Sequence, residues 1–144
     1  MSIKPLNTVE AEMSKDPSLI PELKVLDYAK SLDFYTRLAG FKVLYDRPEE
    51  DFAMLEINHA RLMIEGFASN GRSWLIGQLE RPLGRGMHLQ IEVQDVSSQY
   101  QRFKKARYPI FLDLEEKWYR IKTQEIGHKQ FLVQDPDGYL LRFF

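Results

Sequence analysis

The feature that most restricts the fold is an internal repeat with a spacing of about 68 residues. Segment 23–27 matches segment 91–95, and in both an alternating pair of aliphatic residues leads to an aspartate. With a longer insertion, 52–65 matches 129–142. Each copy follows the order strand, helix, strand, strand, strand. Because one such small sheet cannot cover both of its faces, the two copies must pack together. The sequence predicts an α+β domain of two paired βαβββ modules forming a curved mixed sheet around a cleft, with the helices outside.

The two modules are expected at about 19–67 and 87–144 of a single domain, 19–144, preceded by an N-terminal arm, 1–18. Hydrophobic alternation and helical spacing predict the elements of each module. In the first they are strands at 19–26, 41–46, 52–57 and 62–67 and a helix at 29–38. In the second they are strands at 87–94, 109–112, 129–134 and 139–144 and a helix at 97–106. Residues 68–86, between the modules, and 114–127 are predicted to be long irregular segments.

The last two strands are joined by Asp135-Pro136-Asp137-Gly138, a sequence typical of a tight turn. A net charge of −1 leaves no basic surface for nucleic acid, and the absence of cysteine excludes disulfides and thiolate ligands. No apolar run reaches membrane-spanning length, and Met1-Ser-Ile-Lys-Pro is not followed by the apolar core of a signal peptide. We therefore expect a cytoplasmic protein that binds neither nucleic acid nor a membrane.

Strand alternation places a polar set of side chains on the face of the sheet that lines the cleft. This set comprises Glu22, Lys24, Met63, Glu65, His88, Gln90, Glu92 and Arg142. Several aromatic residues, including Trp74, fall outside the periodicity of the core, and planar guests stack on such rings. The predicted ligand-binding residues are Tyr45, Phe52, Glu65, His88, Gln90, Trp118, Tyr119 and Arg142. No nucleophile–base motif is legible, so no catalytic residue is predicted.

Three stretches resemble the vicinal oxygen chelate superfamily, which includes glyoxalase I, extradiol dioxygenases and antibiotic resistance proteins. They are 27–35, the Gly40-Phe41 pair, and Gln-Asp-Pro-Asp-Gly-Tyr-Leu-Leu at 134–141. The segments 127–138 and 118–120 are most similar to bleomycin resistance proteins. That resemblance implies a homodimer that sequesters a cationic drug in grooves at the subunit interface and performs no chemistry.

The resemblance also implies where a metal would be bound in the metal-dependent members of the superfamily. The four corresponding positions are Ile20, Glu65, His88 and Arg142. Isoleucine has no ligating atom and arginine no available lone pair, so only Glu65 and His88 remain. We therefore predict no metal and no cofactor. Glu65 and Arg142 occupy equivalent places in the two modules, and two arrangements are open: an ion pair across the cleft, or separate solvation of each side chain. The alternative is one divalent metal held by Glu65, His88 and Glu22.

These observations favour a metal-independent binding protein that sequesters a bulky, cationic, partly aromatic, antibiotic-like molecule. The alternative is a metal-dependent enzyme of the glyoxalase or dioxygenase type, acting as a lyase or an oxygenase. A third interpretation is an interaction domain that keeps the fold without a guest. The incomplete ligand set makes the enzyme the less favoured of the first two.

Overall fold

A computed structural model describes residues 17–68 and 74–144. The predicted N-terminal arm, 1–18, lies outside the described residues except for Pro17 and Ser18. Part of the predicted segment 68–86 also lies outside them. Within the described residues no helix has the length and hydropathy needed to cross a bilayer.

The two modules have the same order of elements, as the repeat predicts. The first contains β1 (Glu22–Lys24), α1 (Tyr28–Asp33), β2 (Lys42–Arg47), β3 (Phe52–Ile57) and β4 (Ala60–Glu65). The second contains β5 (His88–Ile91), α2 (Val96–Lys105), β6 (Leu112–Ile121), β7 (Gln124–Gln134) and β8 (Leu140–Phe143). Helix α1 continues as a π-helical turn over Phe34–Leu38, and a short 3₁₀ helix, Pro48–Glu50, follows β2.

The strands form two four-stranded sheets, ordered β1-β4-β3-β2 and β5-β8-β7-β6. In each sheet the first strand of the module is parallel to the last, and the other pairs are antiparallel. The predicted α+β class with two βαβββ modules is confirmed. In the described part of the chain, the eight strands are divided between these two sheets.

Each helix begins at the aspartate that the repeat identifies. The Asp27 side chain accepts a hydrogen bond from the Lys30 amide at 3.1 Å, and Asp95 accepts one from the Ser98 amide at 3.1 Å. Such caps satisfy amides that have no partner within the helix. Gly40, after the first helix, has a φ of 85°, a conformation that glycine adopts without strain.

The second half of the chain departs from the sequence prediction in one place. The prediction of a strand at 109–112 is wrong, because β6 begins only at Leu112. It then runs through most of 114–127, the segment predicted to be irregular, together with the start of β7. It pairs with β7 as far as Ile121 and Gln124, leaving a two-residue turn in which Lys122 has a φ of 56°. The hairpin was missed because its turn lacks Asn-Gly or Asp-Gly, the usual signals of a two-residue turn. Its strands also lack a continuous apolar face.

A common hydrophobic core joins the modules. The Phe34 ring lies 5.9 Å from that of Phe103 and 5.2 Å from that of Tyr108. The Gln99 side-chain amide donates to the Ala39 carbonyl at 2.6 Å. These contacts bring the helical segments of the two modules together.

The closing turn links the modules through its two aspartates. Asp135 and Asp137 are 4% and 1% exposed, respectively. Asp135 accepts a hydrogen bond from the Tyr35 hydroxyl at 2.7 Å, and Asp137 accepts one from the Leu26 amide at 3.1 Å. Arg81 donates to Asp137 at 2.9 Å. The turn predicted from its local sequence is therefore also a tertiary contact, because its carboxylates reach donors in the first module.

Candidate functional site

The first sheet has one apolar face and one polar face, as alternation predicts. Leu23 and Ile64 are buried in the core, whereas Glu22, Met63 and Glu65 lie on the opposite face. Strands β1 and β4 are adjacent and parallel, so side chains that are distant in sequence meet on this face. We refer to this polar face, which the alternation in the sequence assigned to the cleft, as the outer face of the first sheet.

A pocket of about 650 Å³ opens on this outer face. It is lined by Glu22, Lys24, Tyr45, Arg47, Glu50, Phe52, Met63, Glu65, Trp74 and Leu75. Three predicted ligand-binding residues, Tyr45, Phe52 and Glu65, are therefore brought together. Arg47 and Glu50 were missed, because they lie where the sequence indicates only a charged loop. Alternation along β2 places Arg47 on the same face as Tyr45, and this signal would have identified it.

Two carboxyl groups and an ammonium group form the acidic part of this pocket. The Lys24 ammonium lies 3.8 Å from the Glu65 carboxylate, and both side chains are largely buried. Partial burial, the hydrogen bond with Glu65 and the negative charge of Glu65 together raise the pKa of Glu22 to about 7, with burial the largest cause. Near neutral pH, the two neighbouring carboxyls therefore carry fewer than two negative charges.

Aromatic rings form another part of the pocket. The Tyr45 and Phe52 rings lie 6.1 Å apart at an angle of 34°. The Arg47 guanidinium lies 4.0 Å from the centre of the Phe52 ring, and its Nε donates to Glu50 at 2.6 Å. Trp74 lies at the rim and is 80% exposed. The pocket thus combines acidic groups with ring surfaces.

The other predicted ligand-binding residues belong to the second sheet. His88 and Gln90 lie on β5, Arg142 on β8, and Trp118 and Tyr119 on β6. Arg142 donates to the side-chain oxygens of Gln90 and Gln130. As consecutive strand residues, Trp118 and Tyr119 point to opposite faces, and the Trp118 ring packs over Gly127. The structure therefore divides the predicted site between two sheets.

Of the two arrangements left open for Glu65 and Arg142, the ion pair is not formed. Glu65 contacts Lys24 and Glu22, whereas Arg142 contacts the two glutamines. The sequence alignment also mispairs one position. His88 pairs with Leu140, two residues before Arg142, and Glu22 pairs with Met63, two residues before Glu65. Glu22, not Ile20, is therefore the counterpart of His88.

The residues of the alternative metal site do not form a complete ligand set. Glu22 and Glu65 are neighbours on the first sheet, but His88 lies on β5 of the second. Across the two described stretches, no three histidine, aspartate or glutamate side chains are grouped so that they could hold a metal ion. The donor set of one chain does not fit the divalent metal of the alternative.

The sequence model of the Glyoxalase/Bleomycin resistance protein/Dioxygenase superfamily matches residues 21–143. The chain belongs to this superfamily, which confirms the resemblance seen in the sequence. It is similar to the bleomycin resistance protein of Geobacillus stearothermophilus, with 28% identity over 133 residues, covering 87% of this chain and 93% of the relative. The bleomycin resistance protein of Staphylococcus aureus (strain MRSA252) gives the same values.

Solved structures show the same fold. TioX from Micromonospora sp. ML1 has a TM-score of 0.63 at 23% identity, covering 88% of this chain and 96% of that one. A bleomycin-binding protein complexed with bleomycin has a TM-score of 0.57 at 20% identity, with the same coverage. At these identities the structural similarity supports the fold alone.

Proposed function

We propose that the protein binds and sequesters a bulky, cationic, partly aromatic small molecule without a metal ion. The observation that carries this proposal is the pocket on the outer face of the first sheet, in which Glu22 and Glu65 lie beside the Tyr45 and Phe52 rings. Its volume of about 650 Å³ falls within the range of roughly 300–1,000 Å³ typical of small-molecule sites. The named bleomycin resistance relatives support an antibiotic-like guest.

The chemistry of the pocket favours a cation on the guest. Glu22, Glu50 and Glu65 exceed Lys24 and Arg47 by one charge when all five are ionised. A guest cation beside Glu22 favours the ionised form of this carboxyl. Binding therefore restores the negative charge that Glu22 partly lacks in the free protein, and this charge attracts the guest. A flat ring on the guest would stack beside Tyr45 and Phe52. These two requirements together describe a cationic molecule with an aromatic part.

We also propose that the protein is a cytoplasmic homodimer. Apart from Trp118, the predicted ligand-binding residues occupy one face of each sheet, and the residues of the second sheet do not line the pocket on the first. A second copy of the chain would bring the second-sheet residues of one subunit near the first-sheet pocket of the other. Sedimentation velocity of the purified protein tests the dimer directly, and a protein that stays monomeric at every protein concentration measured would contradict it.

The central experiment is calorimetric titration of the purified protein with metal-free bleomycin, together with thermal unfolding. At about 100 times its Kd, a guest adds about 2.7 kcal/mol to the free energy of unfolding. We expect Glu65→Gln to weaken binding about tenfold, because it removes one charged partner. Glu56→Gln is the matched control, since Glu56 lies on β3 of the same sheet, outside the pocket, and pairs with Arg61 at 2.8 Å.

The same titration distinguishes the enzyme alternative. Stabilisation by Zn²⁺ or Mn²⁺ that is lost in both Glu65→Gln and His88→Gln, with no effect of bleomycin, would replace the binding proposal with a metalloenzyme. Formation of lactoylglutathione by the metal-loaded protein would then identify a glyoxalase-type activity. A dimer that responds to neither bleomycin nor a metal would favour an interaction domain.

A further inference from the structure

The polar face of the second sheet carries Gln90, Gln130 and Arg142, and we refer to it as the outer face of the second sheet. On this face the Arg142 guanidinium is held against neutral partners. Its Nε donates to the Gln130 side-chain oxygen at 2.8 Å, and its Nη1 donates to the Gln90 side-chain oxygen at 3.1 Å. Among residues 17–68 and 74–144, no carboxylate lies within ion-pair distance of this guanidinium. In the first module, the position equivalent to Arg142 is occupied by Glu65, so the two outer faces carry opposite charges there.

The orientation of Gln130 is fixed by its own partners. Its side-chain nitrogen donates to the Tyr119 hydroxyl at 2.8 Å and to Glu115 at 3.1 Å. Because both protons of the amide nitrogen are used, the amide oxygen is the acceptor that faces Arg142, and the Tyr119 hydroxyl also lies 3.1 Å from this oxygen. Gln130 is only 4% exposed, so this arrangement is held by packing as well as by hydrogen bonds. Glu115 is the acidic group of this network, and it contacts Arg142 only through the amide.

The guanidinium is also positioned against a ring. Its central carbon lies 5.2 Å from the centre of the Tyr119 ring. Nearby, the His128 and Phe144 rings stack at 4.9 Å with an angle of 9° between their planes. The face therefore offers flat surfaces beside a fixed positive charge, a combination suited to a planar group that carries an anion.

We propose that Arg142, oriented by Gln90 and Gln130, forms a second binding site, for a carboxylate carried by a flat organic group. With Nε and Nη1 each donating one hydrogen bond, Nη2 donates to no acceptor in the described part of the chain. Of the five N–H donors of the guanidinium, one on Nη1 and both on Nη2 thus have no acceptor there, and these two nitrogens match the two oxygens of a carboxylate. The residues that orient Arg142 all belong to the second sheet, so this site does not require the acidic groups of the first-sheet pocket, even where a second copy brings the two faces together.

The test uses 2-naphthoate as the probe, titrated into the full-length protein by calorimetry. The neutral analogue 2-naphthamide has the same ring system without the charge, and 2-naphthylmethylammonium probes the acidic pocket instead. We expect 2-naphthoate to bind wild-type protein at least tenfold more tightly than 2-naphthamide does, because hydrogen bonds to a charged group are the stronger ones. Arg142→Gln should weaken naphthoate binding by about tenfold or more.

Two further variants separate a binding role from a structural one. Arg142→Lys keeps the charge but loses the fork, so it should retain only part of the naphthoate affinity. Glu65→Gln should leave naphthoate binding unchanged while weakening the ammonium probe, so failure at one site is distinguishable from failure at the other. Equal binding of naphthoate and naphthamide would overturn the proposal. Unchanged naphthoate affinity in a folded Arg142→Gln protein would also overturn it. A third refuting outcome is unchanged naphthoate affinity in Arg142→Lys combined with naphthoate binding that does not depend on salt concentration.

Discussion

The hydrogen bond between Tyr35 and Asp135 connects the two modules through a buried carboxyl group, and its loss has a calculable effect. The donor and acceptor oxygens are 2.7 Å apart, and the residues are 0% and 4% exposed. Tyr35→Phe removes the donor while leaving the ring contacts in place. We expect the free energy of unfolding at pH 7.5 to fall by about 2 kcal/mol, since hydrogen bonds to a charged group contribute roughly 1.5–3 kcal/mol.

The effect should depend on pH in a defined direction. Burial raises the pKa of Asp135 from 3.8 to about 6, although its hydrogen bond from Tyr35 lowers it. The folded protein therefore binds the proton of Asp135 more tightly than the unfolded chain does. The contribution of this proton to the free energy of unfolding is fully present below about pH 4 and is lost as pH rises through about 6. For this one group, the decrease amounts to about 3 kcal/mol. Tyr35→Phe removes the hydrogen bond that lowers the pKa of Asp135, and so raises this pKa further. The loss of unfolding free energy caused by Tyr35→Phe should therefore shrink to about 1 kcal/mol or less at pH 4.5.

Urea unfolding at pH 4.5 and 7.5, followed by circular dichroism, measures both quantities. Tyr100→Phe is the matched control, because the Tyr100 hydroxyl also donates to a carboxylate, Asp113, at 2.7 Å, but at an exposed site. We expect the control to lose no more than about 0.5 kcal/mol at either pH. An equal loss for Tyr35→Phe at the two pH values, or a control that costs as much, would refute the reasoning about the buried carboxyl.

Three other outcomes are expected. Because the pKa of Glu22 is raised to about 7, affinity for a cationic guest should increase between pH 6 and 8, and calorimetry should show this increase absent in Glu22→Gln. In urea titrations, Asp95→Ala should lower the free energy of unfolding by about 1 kcal/mol because it removes a helix cap. Asp95→Asn should keep most of the stabilisation by the cap, because asparagine can also accept the capping hydrogen bond. Gly84→Ala should destabilise more than Gly86→Ala by thermal unfolding. Both have positive φ, but only at Gly84 would a Cβ lie 2.5 Å from the Tyr139 ring.

Local sequence determined much of the architecture. The repeat predicted two βαβββ modules, since each pattern of alternation and helical spacing is a property of a short segment. Asp27 and Asp95 marked the helix starts for the same reason, because capping involves only neighbouring residues. Within the site, alternation alone assigned Glu65 and Arg142 to polar strand faces.

The tertiary structure decided which of those faces and residues meet. Sequence alternation repeats every two residues, so it cannot distinguish Ile20 from Glu22 as the counterpart of His88, and only the strand register does so. The division of Glu65 and Arg142 between two sheets likewise depends on packing between modules. The acidic pocket and the oriented arginine follow from contacts between residues far apart in the chain, and such contacts leave no periodic signal in the sequence.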